Sequence, residues 1–371
     1  MPSIEYRLFF NNAPAKQDQL DLVEKIEVDQ DVDIAWEARL EILLCTSDKG
    51  KWQEEDQKIL DEFGRVRIEV KIGTDSFVPL IDGPIVGFRN QLSSEPGQST
   101  MTVYVHDDSV LLNREETTEF FGDKTDDQIA KTLFRSIPEI ASVQTDSVPP
   151  LDGNLNIKRV RRATAIGYLR RLARLRNMHA YVLPGKEPGQ SVGVFKAFPT
   201  AKDGLPDMIF TGPDRNIANF QARDLATQPA AVQSFTVSLK DGKVIKKVSS
   251  SGKTERTGDK PGVPDSKSAK TLLRPGAAIA ADLESAVQGK SDRSSYQFDV
   301  SGELYTECYG KPLGPYRVVT VKGVNTKMSG DYTVTGVKHT LDRNAYHQSF
   351  KLIRNAVSTA SAGSGPLGKV L

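Results

Sequence analysis

Two runs of strict alternation constrain this chain more than anything else in it. In "IAWEARLEILL" (34–44), Ile34, Trp36, Ala38, Leu40, Ile42 and Leu44 alternate with Glu37, Arg39 and Glu41. In "VRIEVKI" (66–72), Val66, Ile68, Val70 and Ile72 point one way and Arg67, Glu69 and Lys71 the other. A period of two gives each strand an apolar and a charged side, the signature of half-buried antiparallel strands. Further strands are predicted at 4–10, 84–92 and 100–106, separated by Asp82-Gly83-Pro84 and Pro96-Gly97. Five or six short strands in about 110 residues predict a barrel or a strongly curved sheet.

Helices follow. Thr125 and Gln128 form a capping box, and Ile129, Leu133 and Ile137, with Ala130 and Phe134, make an apolar face that Pro138 ends. A second helix is predicted over about 164–177 on Ile166, Leu169, Leu172 and Ala173, with Arg170, Arg171 and Arg174 largely off that face. It runs into a strand, "HAYVL" (179–183). Phe235, Val237 and Leu239 alternate in "SFTVSL". Residues 249–276, rich in Ser, Gly, Lys and Pro, read as a linker or mobile loop. A short helix is predicted at 277–288 from Ile279, Leu283 and Val287, with Gly289 as its stop. Strands return at 295–308, 315–323, 331–341 and 346–354, before a small, polar tail.

Composition narrows the classes. In 371 residues, 38% hydrophobic and 26% charged content suits an ordinary globular chain with two to four cores. No apolar run is long enough to span a bilayer. The N-terminus lacks the basic and apolar regions of a secretory signal, so residence in a cytoplasm is expected. Cys45 and Cys308 belong to no metal or redox motif and read as small, semi-buried apolar residues. Charge is uneven: residues 1–60 hold 14 acids against 7 bases, whereas 153–186 is acid-free and carries Lys158, Arg159, Arg161, Arg162, Arg170, Arg171, Arg174 and Arg176. That run reads as a solvated face, a phosphate-contacting patch or a surface for an acidic partner, such as the acidic segment of a neighbouring subunit. Only Tyr168 and Tyr181 could stack bases there.

Three tempting motifs fail on their own chemistry. "SGKTE" (251–255) has Lys247 where a phosphate loop needs glycine. Asp29, Asp31 and Asp33 have calcium-loop spacing, but Ile34 and Leu40 occupy the required glycine and glutamate places, which leaves a solvated acidic turn. In "SGDYTVTGVKHTLDRNAYHQSFKLIRN" (329–355), a four-residue turn pairs Leu341 with Tyr346 and His339 with Gln348. His339 and His347 then fall on opposite faces and cannot share a metal. His106 and His179 lie elsewhere with no ligand beside them. No nucleophile elbow occurs, and neither cysteine has a histidine nearby in sequence. No catalytic residue, metal or cofactor is expected.

Several stretches together resemble the late control D family, the central hub proteins of contractile phage tail baseplates, whose fold also forms the base of type VI secretion spikes. They are "SEPGQSTMTVYVHDDSVLLNRE", "KTDDQIAKTLF", "ATAIGYLRRLARLRNMHAYV" and the closing hairpin, with Gly330, Tyr332, Val334, Val337, His339, Tyr346, Phe350 and Arg354. This chain departs from the family at Leu313-Gly314-Pro315-Tyr316, where a Pro-Gly step is usual, so a different local turn is expected.

The resemblance implies an α+β, mainly β fold. Two related β-barrel-like tube domains with helical and smaller β insertions would assemble as a trimeric ring. The divisions are a tube domain at 1–112, a helix-containing domain at 113–215, a strand-rich return at 216–248, the linker at 249–276, the rest of the second tube domain at 277–356 and a tail at 357–371. The implied role is a hub that adapts the sixfold tail tube to the threefold spike and nucleates the tube, in a particle assembled in the bacterial cytoplasm. Implied partners are two further copies, a tube or tube-initiator protein, a separate spike, and wedge or LysM-type hub proteins, with transient contact to DNA or cargo in the channel. Expected interface residues are Arg170, Arg171, Arg174, Tyr332, His339, Tyr346 and Phe350. The alternative is a nucleic-acid-binding protein that uses 158–176.

Overall fold

The computed structural model describes residues 2–45, 64–95, 97–150, 159–225, 227, 230–237, 241–249, 257–261, 269–273, 282–343 and 345–357. In the first third the strands are β1 (Ile4–Phe10), β2 (Val23–Asp31), β3 (Glu37–Leu43), β4 (Arg65–Ile72), β5 (Val78–Gln91) and β6 (Thr100–His106). They pair antiparallel in the order β2-β3-β6-β5-β4-β1. Ala38, Leu40, Ile42, Val66, Ile68, Val70 and Ile72 share one core, as alternation predicts.

Three readings of this third are corrected. Ile34 is 53% exposed, because Asp33 before it adopts φ +63° and the strand begins only at Glu37. Asp29 and Asp31 are not turn residues: they lie on β2, whose Ile26, Val28 and Gln30 point inward. Arg67 and Glu69 are buried rather than outward, because the 185–187 segment covers that side of β4.

The middle of the chain builds a second core. It contains β7 (Glu116–Phe121), α1 (Asp126–Phe134), β8 (Ile140–Thr145), β9 (Arg159–Thr164), α2 (Ala165–Leu175), β10 (His179–Pro184) and β11 (Ser191–Lys196). The capping box forms as expected, the Thr125 amide donating to Gln128 Oε1 over 3.0 Å. α1 ends at Phe134, one turn before Pro138. Ile129, Leu133 and Phe134 of α1 meet Ile166, Leu169 and Leu172 of α2.

The remaining strands are β12 (Ile217–Asp224), β13 (Ala230–Val237), β14 (Val244–Val248), β15 (Phe298–Leu304), β16 (Val318–Lys322), β17 (Gly330–Asp342) and β18 (Tyr346–Arg354), with α3 (Leu283–Ser294) between β14 and β15. β12, β15, β18 and β17 continue the first sheet, because β17 changes partner along its length. Its first residues pair with β16, and Gly336–Asp342 pair with Asp31–Lys25 of β2. The result is a single 13-stranded sheet whose path ends at β12 and at the short Ala13–Pro14 strand.

Among the described residues no closed barrel forms. The path through them stays open, and the closing hairpin is common to both halves. Leu341 and Tyr346 enter the first core, while Tyr332, Val334, Val337, Phe350 and Leu352 enter the last. Each such buried side chain contributes roughly 1.5–3 kcal/mol.

Other differences have local causes. The helix predicted at 277–288 runs from Leu283 to Ser294 and passes through Gly289, where a Cβ would meet the backbone of α2 2.9 Å away at the Arg174 oxygen. Glycine is there for close helix contact, not as a stop; Ile279 lies outside the described residues. Two described pieces of 249–276 pair as strands, Lys260–Pro261 with Ala356–Val357 and Ala269–Leu272 with β13. Phe235 and Val237 face outward. Leu239, SGKTE and the tail beyond Val357 lie outside the described residues. Cys45 is half-buried and Cys308 exposed.

Candidate functional site

The predicted hairpin register is the observed one, with Leu341 opposite Tyr346, His339 opposite Gln348 and Thr340 opposite His347. His339 is fully buried and His347 exposed, as opposite faces require. The His339 ring lies 2.7 Å from the Tyr346 hydroxyl through Nδ1 and 3.1 Å from Gln30 Oε1 through Nε2. Burial pushes its pKa down to about 3 and the Tyr346 phenol up, so both stay neutral. Tyr332 and Phe350 are equally buried. These four residues hold the subunit together and offer no surface. Both edges of the hairpin are paired within the chain, with β2 on one side and β15 on the other.

The basic run is dismantled by acids from distant segments. Arg159 reaches Asp126 and Asp282, Arg161 pairs with Glu119, and Arg176 joins Asp126 at 3.0 Å. Arg159 and Arg161 are buried, so these are internal braces. Arg162, Arg171 and Arg174 remain exposed; Arg171 lies 5.9 Å over the Tyr168 ring. Arg170 turns inward, and burial lowers its pKa against the attraction of Asp107, Tyr316 and Asp33. Its Nε and Nη2 are buried without a hydrogen-bond partner. Of the three expected interface arginines, only Arg171 and Arg174 lie on the surface.

Arg170 borders a polar junction that sequence reasoning missed, where residues from the first, middle and last thirds of the chain meet. His179 Nδ1 is 2.8 Å from Asp33 Oδ1, and the Tyr316 hydroxyl accepts from the Asp33 amide at 2.9 Å. Arg293 of α3 approaches the same carboxylate at 3.6 Å and donates to the Met178 carbonyl at 2.8 Å. Tyr316 stacks on Tyr181, and His179 packs on Phe198. Burial opposes ionisation of Asp33, but the bond to His179 and the charges of Arg293 and Arg174 hold its pKa below the usual range. Burial outweighs Asp33 at His179 and lowers the imidazole pKa, so a neutral ring donates to a carboxylate. Tyr316 has φ +59°, costly for a bulky residue, in the very loop where the departure from the family pattern predicts a different turn.

A second clamp lies across β4. Arg67 binds Glu69 and Asp82 and donates to the Gly185 and Lys186 carbonyls; Arg65 binds Asp82 and Asp108, and Asp108 accepts from Ser191. Two arginines thus tie the middle region to the first sheet through five strands and loops. Among the described residues no group of three His, Cys, Asp or Glu could hold a metal, and no helix is long and apolar enough to cross a membrane.

The chain shares its fold with solved tail proteins and with a component of the type VI secretion system. The chain superposes on the tail protein of Neisseria meningitidis MC58 with a TM-score of 0.63 at 14% identity, over 96% of this chain and 98% of that one. The 43 kDa tail protein of prophage MuSo2 from Shewanella oneidensis gives 0.64 at 14% identity, over 95% and 99%. An Escherichia coli component of the type VI secretion system, described as similar to T4 tail proteins gp27 and gp5, gives 0.54 at 11% identity, over 95% and 76%. No family model and no curated protein sequence matches the chain.

Proposed function

We propose that this chain is a structural tail protein, the central baseplate hub of a contractile injection particle. Three copies form a ring that carries the tail tube on one side and a separate spike on the other. The observation that carries this reading is coverage: nearly the whole chain aligns with nearly the whole of two tail proteins, one of them from a prophage. The hub acts through rigidity and contact, and the architecture suits that. A single sheet shared by both halves, with the Asp33–His179–Tyr316 junction linking three distant segments, opposes relative motion of the halves. Domains joined only by small polar interfaces would instead move relative to one another.

Light scattering on the purified chain and co-assembly with a tube protein test the reading. A trimer that seeds tube growth is expected; a permanent monomer that never binds tube or spike overturns it. The nucleic-acid alternative is weakened by the internal pairing of Arg159, Arg161 and Arg176.

A further inference from the structure

The small sheet of β13, β14 and Ala269–Leu272 has one face packed on α3, where Val232 and Ser234 are buried. Its other face is apolar and exposed. Register places Phe235, Val237, Val244, Val248 and Leu272 on that face, with Val244 at 67% and Leu272 at 64% exposure. Lys246 and Lys270 share it, and Lys246 lies 5.5 Å over the Phe235 ring. Clustered apolar residues on an outer sheet face mark a contact site.

A complementary surface lies elsewhere on the chain. The antiparallel β7–β9 pair buries Phe121 against Tyr168 of α2 but exposes Phe120 at 67%, opposite Val160. Glu116 and Arg162 are exposed on the same face, Glu115 and Asp123 are exposed just beyond the two ends of β7 beside Arg114 and Lys124, and Lys124 turns to Thr132. Packing runs from the β13–β14 sheet to α3, from α3 to α2, and from α2 to the β7–β9 pair. The two apolar faces are therefore separate surfaces, as a head-to-tail contact requires.

We infer that the lysine-bearing face of β13–β14 receives the Phe120 face of the β7–β9 pair of a second copy of this chain. The contact rests on the trimeric reading above and adds the surfaces that make it. Phe120 supplies the central apolar anchor, and the carboxylates beside it face Lys246 and Lys270. Repeated three times, one heterologous contact closes a ring.

Sedimentation velocity of the full chain over a concentration series tests this. The variants are Phe120→Asp, Val244→Asp with Val248→Asp, Lys246→Glu with Lys270→Glu, and that lysine pair combined with Glu115→Lys and Glu116→Lys. Each one-sided change is expected to raise the midpoint concentration for assembly at least about tenfold, and the two-sided reversal to restore it. The circular dichroism melt should not move, since every position is exposed, and the conservative charge reversals remain informative should an aspartate variant fold poorly. Wild-type assembly that persists in all one-sided variants overturns the contact and leaves the hub reading standing. Failure of the two-sided reversal to restore assembly also overturns the pairing. A wild type that stays monomeric throughout overturns both.

Discussion

Tyr316 lies flat on Tyr181, with ring centroids 3.6 Å apart and planes 3° from parallel. One ring comes from the loop before β16 and the other from β10, so the stack joins the last third of the chain to the middle. It also holds Tyr316 at its positive φ, because the hydroxyl is fixed by the Asp33 amide at the same time. Tyr316→Ala should cost about 3–5 kcal/mol, the range for removing a large buried aromatic. Tyr316→Phe should cost only about 1 kcal/mol for the lost hydrogen bond. Urea midpoints of the two variants check this; equal losses would mean that the hydroxyl, not the stack, dominates.

Acid should weaken the fold through two histidines. His339 has its pKa lowered to about 3, and His179 is also lowered, both by burial. Protons therefore bind the unfolded chain first. The stability of the neutral rings is complete above the ordinary pKa of about 6.5 and is lost as pH falls below it. For His339 the loss should approach about 1.4 kcal/mol per pH unit between pH 6 and 4. Denaturant midpoints measured across that range should fall, and His339→Gln should flatten the slope relative to wild type.

The arginines divide into two classes that mutation should separate. Arg159→Ala strips a buried cation from Asp126 and Asp282 and should cost about 3–5 kcal/mol. Arg171→Glu with Arg174→Glu changes exposed positions and should leave the melting temperature within about a degree or two. Loss of assembly in that folded double variant would place α2 at an interface.

Gly302 on β15 should tolerate no side chain. A Cβ there would lie 2.2 Å from the Asn219 oxygen and 2.6 Å from the Phe350 ring. Gly302→Ala should destabilise by about 1–3 kcal/mol as strand and ring are forced apart. A neutral melt would show that β12 can move away freely.

Much of the local structure was legible because it follows from neighbours in sequence. Alternation marks β1, β3, β4 and β6, the Thr125 box marks α1, and turn length sets the register of the closing hairpin. The sheet path was not legible. Nothing local says that Gly336–Asp342 must lie beside Lys25–Asp31, some 300 residues away, and that pairing joins the two halves in one sheet. Charge misled for the same reason: Arg67, Arg159 and Arg161 look like surface residues until Asp82, Asp126 and Glu119 are folded against them.

By itself, then, the sequence determined the alternating strands β1, β3, β4 and β6, the capped start of α1 and the register of the closing hairpin, since those depend on side-chain period and turn chemistry within about a dozen residues. Only the tertiary structure decided which face of each element is inside. It buried the hairpin residues expected at an interface and exposed Phe120, Phe235 and Val244, because burial depends on which distant layer arrives to cover a face.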